Sequence, residues 1–187
     1  MSGEGSYFVL AEPEKCTGCR ACELACFAAH QKGVAKTVGT VTTPVIPNLY
    51  LTRTETIRMP VQCHHCENAP CLQSCLCGAL ERKDGAVALN PQKCIGCRNC
   101  ALACPFGAIQ IAGANILPEL AGHAPVFKCD LCPDRENGPA CVATCPNEAL
   151  RLVDTEEELR AKRIQASEAS EAIQNSLAKA SEVRGGQ

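Results

Sequence analysis

Apolar residues gather in short runs along this chain. Tyr7-Phe8-Val9-Leu10, Ala86-Val87-Ala88-Leu89, Ile109-Gln110-Ile111 and Leu150-Arg151-Leu152-Val153 are each the size of a short strand. Lys83-Asp84-Gly85, just before the second run, reads as a turn. Segments such as Ala101 to Ala103 suit a helix of one or two turns. Ala35 to Thr56 is rich in Thr, Val and Pro and reads as a connector with some extended structure. From Asp154 the pattern changes. Thr155-x-x-Glu158 is a capping box, good helix formers run to Val183, and Gly185-Gly186 ends the helix. Its apolar stripe of Ala166, Ala169, Ile173, Leu177 and Ala180 is thin. Such a helix is either an exposed tail or packs on another subunit or on a copy of itself. The fold class expected is α+β with little regular structure and a long C-terminal helix.

Composition sharpens this picture. The chain has 187 residues, of which 17 are cysteine and only 3% aromatic, with no Trp. It is long enough to bury a core but short of the bulky groups that fill one. Something other than side chains must occupy part of the interior. A formal charge of −2 leaves no basic footprint for nucleic acid. The first residues show no basic region followed by an apolar stretch, so a cytoplasmic location is expected. The most apolar run, Cys100 to Ile109, is about half a bilayer span and contains Pro105. Direct membrane insertion is not expected.

Sixteen of the 17 cysteines fall into four groups of four. They are Cys16, Cys19, Cys22, Cys26; Cys63, Cys66, Cys71, Cys75; Cys94, Cys97, Cys100, Cys104; and Cys129, Cys132, Cys141, Cys145. Groups one and three read C-x2-C-x2-C-x3-C. Groups two and four stretch the middle gap. With a following proline, as at Cys104-Pro105, this run is the bacterial ferredoxin signature for [4Fe–4S] clusters. Thiolates are soft ligands suited to iron–sulfur clusters. Three closely spaced cysteines wrap three corners of one cubane, and the fourth reaches the neighbouring cluster. Four groups therefore imply four clusters in two exchanged pairs. Zinc knuckles also use C-x2-C, but zinc calls for no third cysteine at regular spacing. Cys77 is left over and reads as a small buried residue.

The short connection from Gly78 to Lys93 makes groups two and three one compact unit. Groups one and four then pair around it, so one ferredoxin unit is inserted in the other. The expected layout is residues 1–34 with 123–153 as the outer unit, 35–56 as linker and 57–113 as the inserted unit. Residues 114–122 form a connector and 154–187 a helix for assembly. The repeat Cys-x-x-x-Ala-[Leu/Ile] closes groups two, three and four at Ala79-Leu80, Ala108-Ile109 and Ala149-Leu150. Leu76 and Phe27 stand where groups three and four have proline. His64 and His65 are expected in a loop or beside a cluster, not as ligands; His30 and His123 carry no signal. Oxidised cubanes carry about −2 each, and Arg20, Arg98 and Lys128 stand near enough in sequence to temper that charge. No nucleophile–base pair, P-loop or dinucleotide fingerprint appears, so no enzyme activity of its own is expected.

The segments Cys63-His64-His65-Cys66-Glu67-Asn68-Ala69-Pro70-Cys71, Cys94-Ile95-Gly96-Cys97, Cys104-Pro105-Phe106-Gly107-Ala108-Ile109 and Lys128-Cys129-Asp130-Leu131-Cys132 resemble a known family. It comprises the four-cluster polyferredoxin subunits of formate hydrogenlyase, formate dehydrogenase and related molybdenum or tungsten enzymes. The likeness covers residues 7–153. The resemblance implies four ligand sets: Cys16, Cys19, Cys22 with Cys145; Cys129, Cys132, Cys141 with Cys26; Cys94, Cys97, Cys100 with Cys75; and Cys63, Cys66, Cys71 with Cys104. It also implies an electron wire between a formate dehydrogenase catalytic subunit and a hydrogenase, alongside other polyferredoxin subunits. Within the family the CHHC and CPFGAI segments are most similar to the hydrogenase-linked formate branch, which includes the hydrogen-dependent carbon dioxide reductase. Two other readings stay open. One is an electron carrier for carbon monoxide dehydrogenase, another oxidoreductase or hydrogenase maturation. The other is a zinc or structural scaffold without redox chemistry.

Overall fold

The cysteine loops and the turns that follow them shape this molecule, and the strands merely tie them together. The computed structural model describes residues 6–31, 39–41, 44–112 and 126–185, with side chains as far as residue 177. The connector 114–122 and His123 lie outside the described residues. Two units are separate, residues 1–153 and residues 154–187.

The first unit begins with strand β1 (Tyr7–Ala11) and helix α1 (Ala21–His30). A hairpin of β2 (Tyr50–Arg53) and β3 (Arg58–Val61) follows. Helix α2 (Pro70–Gln73) precedes the hairpin of β4 (Leu80–Lys83) and β5 (Ala86–Leu89). Then come α3 (Asn99–Ala103), β6 (Gln110–Ile111), β7 (Val126–Phe127), α4 (Ala140–Thr144) and β8 (Leu150–Asp154). The strands form four two-stranded sheets: β1 with β8, β2 with β3, β4 with β5, and β6 with β7. The last three are antiparallel. Helix α1 packs on α4, and α2 on α3.

The β4–β5 turn follows from its residues. Asp84 and Gly85 both have positive φ, 50° and 75°, as a type I′ hairpin requires. The register sets Lys83 opposite Ala86. The β2–β3 hairpin was not visible in the sequence, where its first strand fell in the expected connector. Its closure rests on Thr54, whose N–H donates to Ile57 O at 2.8 Å and whose hydroxyl accepts from Ile57 N–H at 3.0 Å.

The internal repeat is conformational as well as sequential. The residue before the second cysteine of every group is left-handed: Gly18 (φ 74°), His65 (48°), Gly96 (70°) and Leu131 (64°). Glycine adopts this freely; His65 and Leu131 adopt it against side-chain sterics. The turn after each of the last three groups repeats too. Gly78 (61°), Gly107 (61°) and Glu148 (50°) are left-handed, and each throws the next N–H back onto the last cysteine. Ala79, Ala108 and Ala149 donate to the Sγ atoms of Cys75, Cys104 and Cys145 at 3.2, 3.4 and 3.3 Å. Group one departs. Here α1 runs on to His30, and Cys26 Sγ instead accepts from Asn48 N–H at 3.3 Å.

Side-chain packing fills two small cores. Val9, Leu49, Ala108 and Leu150 anchor one, and Ala69, Leu80, Val87 and Ile109 the other; cysteines are part of both. Cys63 and Ala108, from groups two and three, sit in the same core as Val9 and Leu150 beside groups one and four. The second unit is helix α5 (Thr155–Gly185), close to the span read from the sequence. Asp154 Oδ1 accepts the Glu156 N–H at 2.8 Å at its start. Among the described residues no helix is long and apolar enough to cross a membrane.

The turn after group two offers a clean test. Beyond its two chain neighbours, nothing among the described residues stands within 4 Å of where a Cβ on Gly78 would sit, so substitution there meets backbone strain. Gly78→Val should cost about 1–2 kcal/mol. The measurement is the temperature at which visible absorbance bleaches on anaerobic heating, expected to fall. An unchanged temperature would contradict the role given to this turn.

Candidate metal centres

Loop geometry brings cysteines from distant groups together. A cavity is lined by Cys16, Cys19 and Cys22 and, from the far end of the unit, Cys145. A second is lined by Cys94, Cys97 and Cys100 with Cys75 and Cys77. Leu51 and Pro60, in the β2–β3 hairpin, close one wall of the first cavity. Cys19 and Cys97 are exposed, so both cavities reach the surface.

Most of the remaining cysteines lie deeper. Cys63, Cys71, Cys129, Cys132 and Cys141 are buried. Burial, which penalises a thiolate, pushes the Cys141 thiol up to about 12, with the neighbouring Cys26, Cys132 and Cys22 adding to it. Cys129 is raised well above the ordinary thiol value by burial, with Cys141 and Cys63 contributing. Cys63 and Cys71 are raised by burial, and each also has Cys104 as a neighbour. Cys100 is raised by burial, with Cys94, Cys75 and Cys97 nearby. These influences sort the thiols into neighbourhoods. Cys22 beside Cys141, and Cys129 beside Cys63, connect one neighbourhood to the next. Binding iron at such thiols displaces their protons, which couples metal loading to proton release.

The donor set suits an iron–sulfur group. Soft thiols converge, backbone N–H groups already point at Sγ atoms, and carboxylates are absent from the two cavity walls. Cys77, expected to be buried, is half-exposed on the second cavity wall, 3.9 Å from Cys75 Sγ to Sγ. Hydrogen bonding from the Ile95 N–H leads the causes that lower its thiol pKa.

The histidines proved more informative in space than in sequence. His64 stacks between Phe8 and Phe106, with ring centroids at 5.3 and 4.0 Å. His65 is fully buried. Val87 N–H donates to its Nδ1 at 3.0 Å, which places the ring proton on Nε2. That Nε2 has no partner among the described residues. Burial holds the ring neutral, its pKa lowered to about 3. His30, bland in sequence, reaches from α1 to the fourth group. Its Nε2 meets both Asp130 carboxylate oxygens at 3.0 Å, and its Nδ1 meets Cys26 O at 2.7 Å. The Asp130 bond leads the causes that raise its pKa to about 11, followed by Cys26. Asp130 also accepts from Cys132 N–H at 2.9 Å. Burial works to raise its carboxyl, but the His30 and Cys132 bonds hold it below the usual range. No single residue in the sequence announces this bridge, because its partners stand 100 positions apart.

Three basic residues were candidates for tempering cluster charge. Arg20 and Arg98 are exposed. Lys128 is 4% exposed, the only buried cation among the described residues.

Known proteins resemble this chain in sequence. Residues 54–155 fit the family described as "4Fe-4S dicluster domain". Hydrogenase-4 component A of Escherichia coli (strain K12) is 42% identical over 175 residues, covering 78% of this chain and 82% of that protein. Formate hydrogenlyase subunit 2 of the same strain is 37% identical over 173 residues, covering 79% and 81%. The putative oxidoreductase AegA, also of that strain, is 45% identical over 150 residues, but this chain spans only 22% of its length. By its cysteine loops, its dicluster domain and relatives matched over most of their length, the chain belongs to the 4Fe-4S dicluster family, as an iron–sulfur electron-transfer subunit of the formate hydrogenlyase type.

Proposed function

We propose that this chain relays electrons through four [4Fe–4S] clusters between a formate dehydrogenase catalytic subunit and a hydrogenase. The observation that carries this reading is the cavity where Cys16, Cys19 and Cys22 meet Cys145. It joins three cysteines of one group to the last of another, the exchange on which paired clusters depend. The ligand sets are Cys16, Cys19, Cys22, Cys145; Cys26, Cys129, Cys132, Cys141; Cys63, Cys66, Cys71, Cys104; and Cys75, Cys94, Cys97, Cys100. The groups so held supply one-electron storage at potentials that the protein tunes.

The protein contributes order and insulation. The neighbour relations Cys22–Cys141 and Cys129–Cys63 support a row in the sequence of sets just given. The end sets contain the exposed Cys19 and Cys97, where partners can approach. The middle sets contain most of the buried thiols, where water is excluded. Packing of α1 on α4 and pairing of β1 with β8 support an outer unit, with α2 on α3 and the β4–β5 hairpin forming an inserted one. The shared core around Val9, Cys63 and Ala108 would hold the two units at fixed separation.

Helix α5 is a candidate for assembling larger complexes in the cytoplasm. Ile173 and Leu177, one helical turn apart, are 61% and 65% exposed. Removing residues 155–187 should reduce the size of the purified complex and leave iron content unchanged. Size-exclusion chromatography with light scattering reads the first, and unchanged size would refute the assembly role.

Ligand exchange is tested by two substitutions in the full chain. Cys145→Ala should lower iron content by about a quarter and remove one cluster signal. Cys77→Ser should leave both unchanged. Iron analysis and electron paramagnetic resonance of anaerobic protein decide; loss of a cluster in the Cys77 variant would overturn Cys75 as the ligand. Affinity capture from its own source, under anaerobic conditions, should bring down formate dehydrogenase and hydrogenase subunits. Capture of carbon monoxide dehydrogenase instead would keep the relay and overturn the partners.

A further inference from the structure

Lys128 is buried without a counter-ion among the described residues. Its ammonium donates to Val87 O and, at 2.6 Å, to Cys129 O. No carboxylate pairs with it among the described residues; nearby Asp130 is engaged by His30. A buried charge is strongly disfavoured unless something of opposite sign compensates it. Two carbonyl dipoles take two of its three N–H groups and leave the third free among the described residues.

Its position indicates what supplies the negative charge. Cys129 belongs to one of the two middle ligand sets. Val87, the other anchor, fixes His65 through its N–H, and His65 lies between Cys63 and Cys66 of the second middle set. The Lys128 charge opposes the effect of burial at Cys63, Cys71 and Cys129, thiols drawn from both middle sets. At Cys22 and Cys100, one thiol from each end set, the lysine is not among the influences. The lysine thus stands between the inner two centres, tied to the backbone on both sides.

We propose that Lys128 is the shared counter-cation of the two middle clusters and holds their reduction potentials up relative to the end clusters. This rests on the ligand sets proposed above. A fixed positive charge in a medium of low dielectric favours the more negative, reduced form of a nearby centre. Each centre gains one electron from an external reductant such as dithionite, with no proton required. The consequence is a wire whose interior retains electrons until a partner at one end accepts them.

The test is a redox titration of the anaerobic full-length protein followed by electron paramagnetic resonance. Wild type is compared with Lys128→Arg, Lys128→Gln and Lys128→Met. In the Gln and Met variants two of the four centres should shift to lower potential. The ratio of reduced to oxidised form at fixed potential should fall at least tenfold, or about 59 mV for a one-electron couple. The other two centres should not move, and Arg should restore the wild-type values. The same two shifts should persist in a Cys145→Ala background, which removes an end cluster. Gln keeps donors for the two carbonyls, so it carries the comparison if Met disturbs folding. Four unmoved centres, or four moved equally, would overturn the inference while leaving the ligand sets standing. Iron loss in all three variants would make Lys128 an assembly residue and overturn it as well. Fewer than four centres in wild type would instead overturn the ligand sets themselves.

Discussion

Everything in this molecule depends on the direction of sulfur atoms. A thiol can join a metal centre only if its loop turns it inward, and the turns are made by left-handed residues at fixed offsets from the cysteines. Gly18, His65, Gly96 and Leu131 make the first turn of each group; Gly78, Gly107 and Glu148 make the closing turn of three. The closing turns also deliver a backbone N–H to the Sγ of Cys75, Cys104 and Cys145. Strands of two to five residues could not impose this geometry alone. They fasten the ends of loops whose shape is set locally and whose interior is completed by iron and sulfide.

This division of labour explains the composition. With no Trp and only four Phe, the chain builds its two small cores from Val, Leu, Ile, Ala and cysteine. Rarer polar contacts then act where apolar packing is thin. His30 spans α1 and the fourth cysteine group through Asp130, while Lys128 and His65 meet at the backbone of Val87. These links cross between cysteine groups, so they bear on how the centres are spaced and charged.

Much of the site was legible in the sequence because cysteine spacing is a local code. The four groups, the repeat ending in Ala79, Ala108 and Ala149, and strands at Tyr7, Ala86 and Leu150 all follow from residues near one another. The hairpin of β2 and β3 was hidden because Thr- and Pro-rich segments carry no clean alternation, and its turn is closed by the Thr54 side chain. The left-handed conformations at His65 and Leu131 were hidden because neither residue favours it; only their place in the repeat hints at it. The burial of Lys128 was equally invisible. A lysine beside a cysteine is ordinarily exposed, and its partner Val87 lies 41 positions away. Long-range partnership between unlike residues leaves no periodic trace.

The central claim is that four [4Fe–4S] centres stand in one row, each held by three cysteines of one group and one of another. Anomalous X-ray scattering at the iron edge, on crystals of anaerobically purified full-length protein, locates the metal directly. The account predicts four iron clusters in sequence, with those ligated by Cys145 and by Cys97 at the two ends. Scattering from zinc, fewer than four clusters, or centres whose four ligands all come from a single group would contradict it.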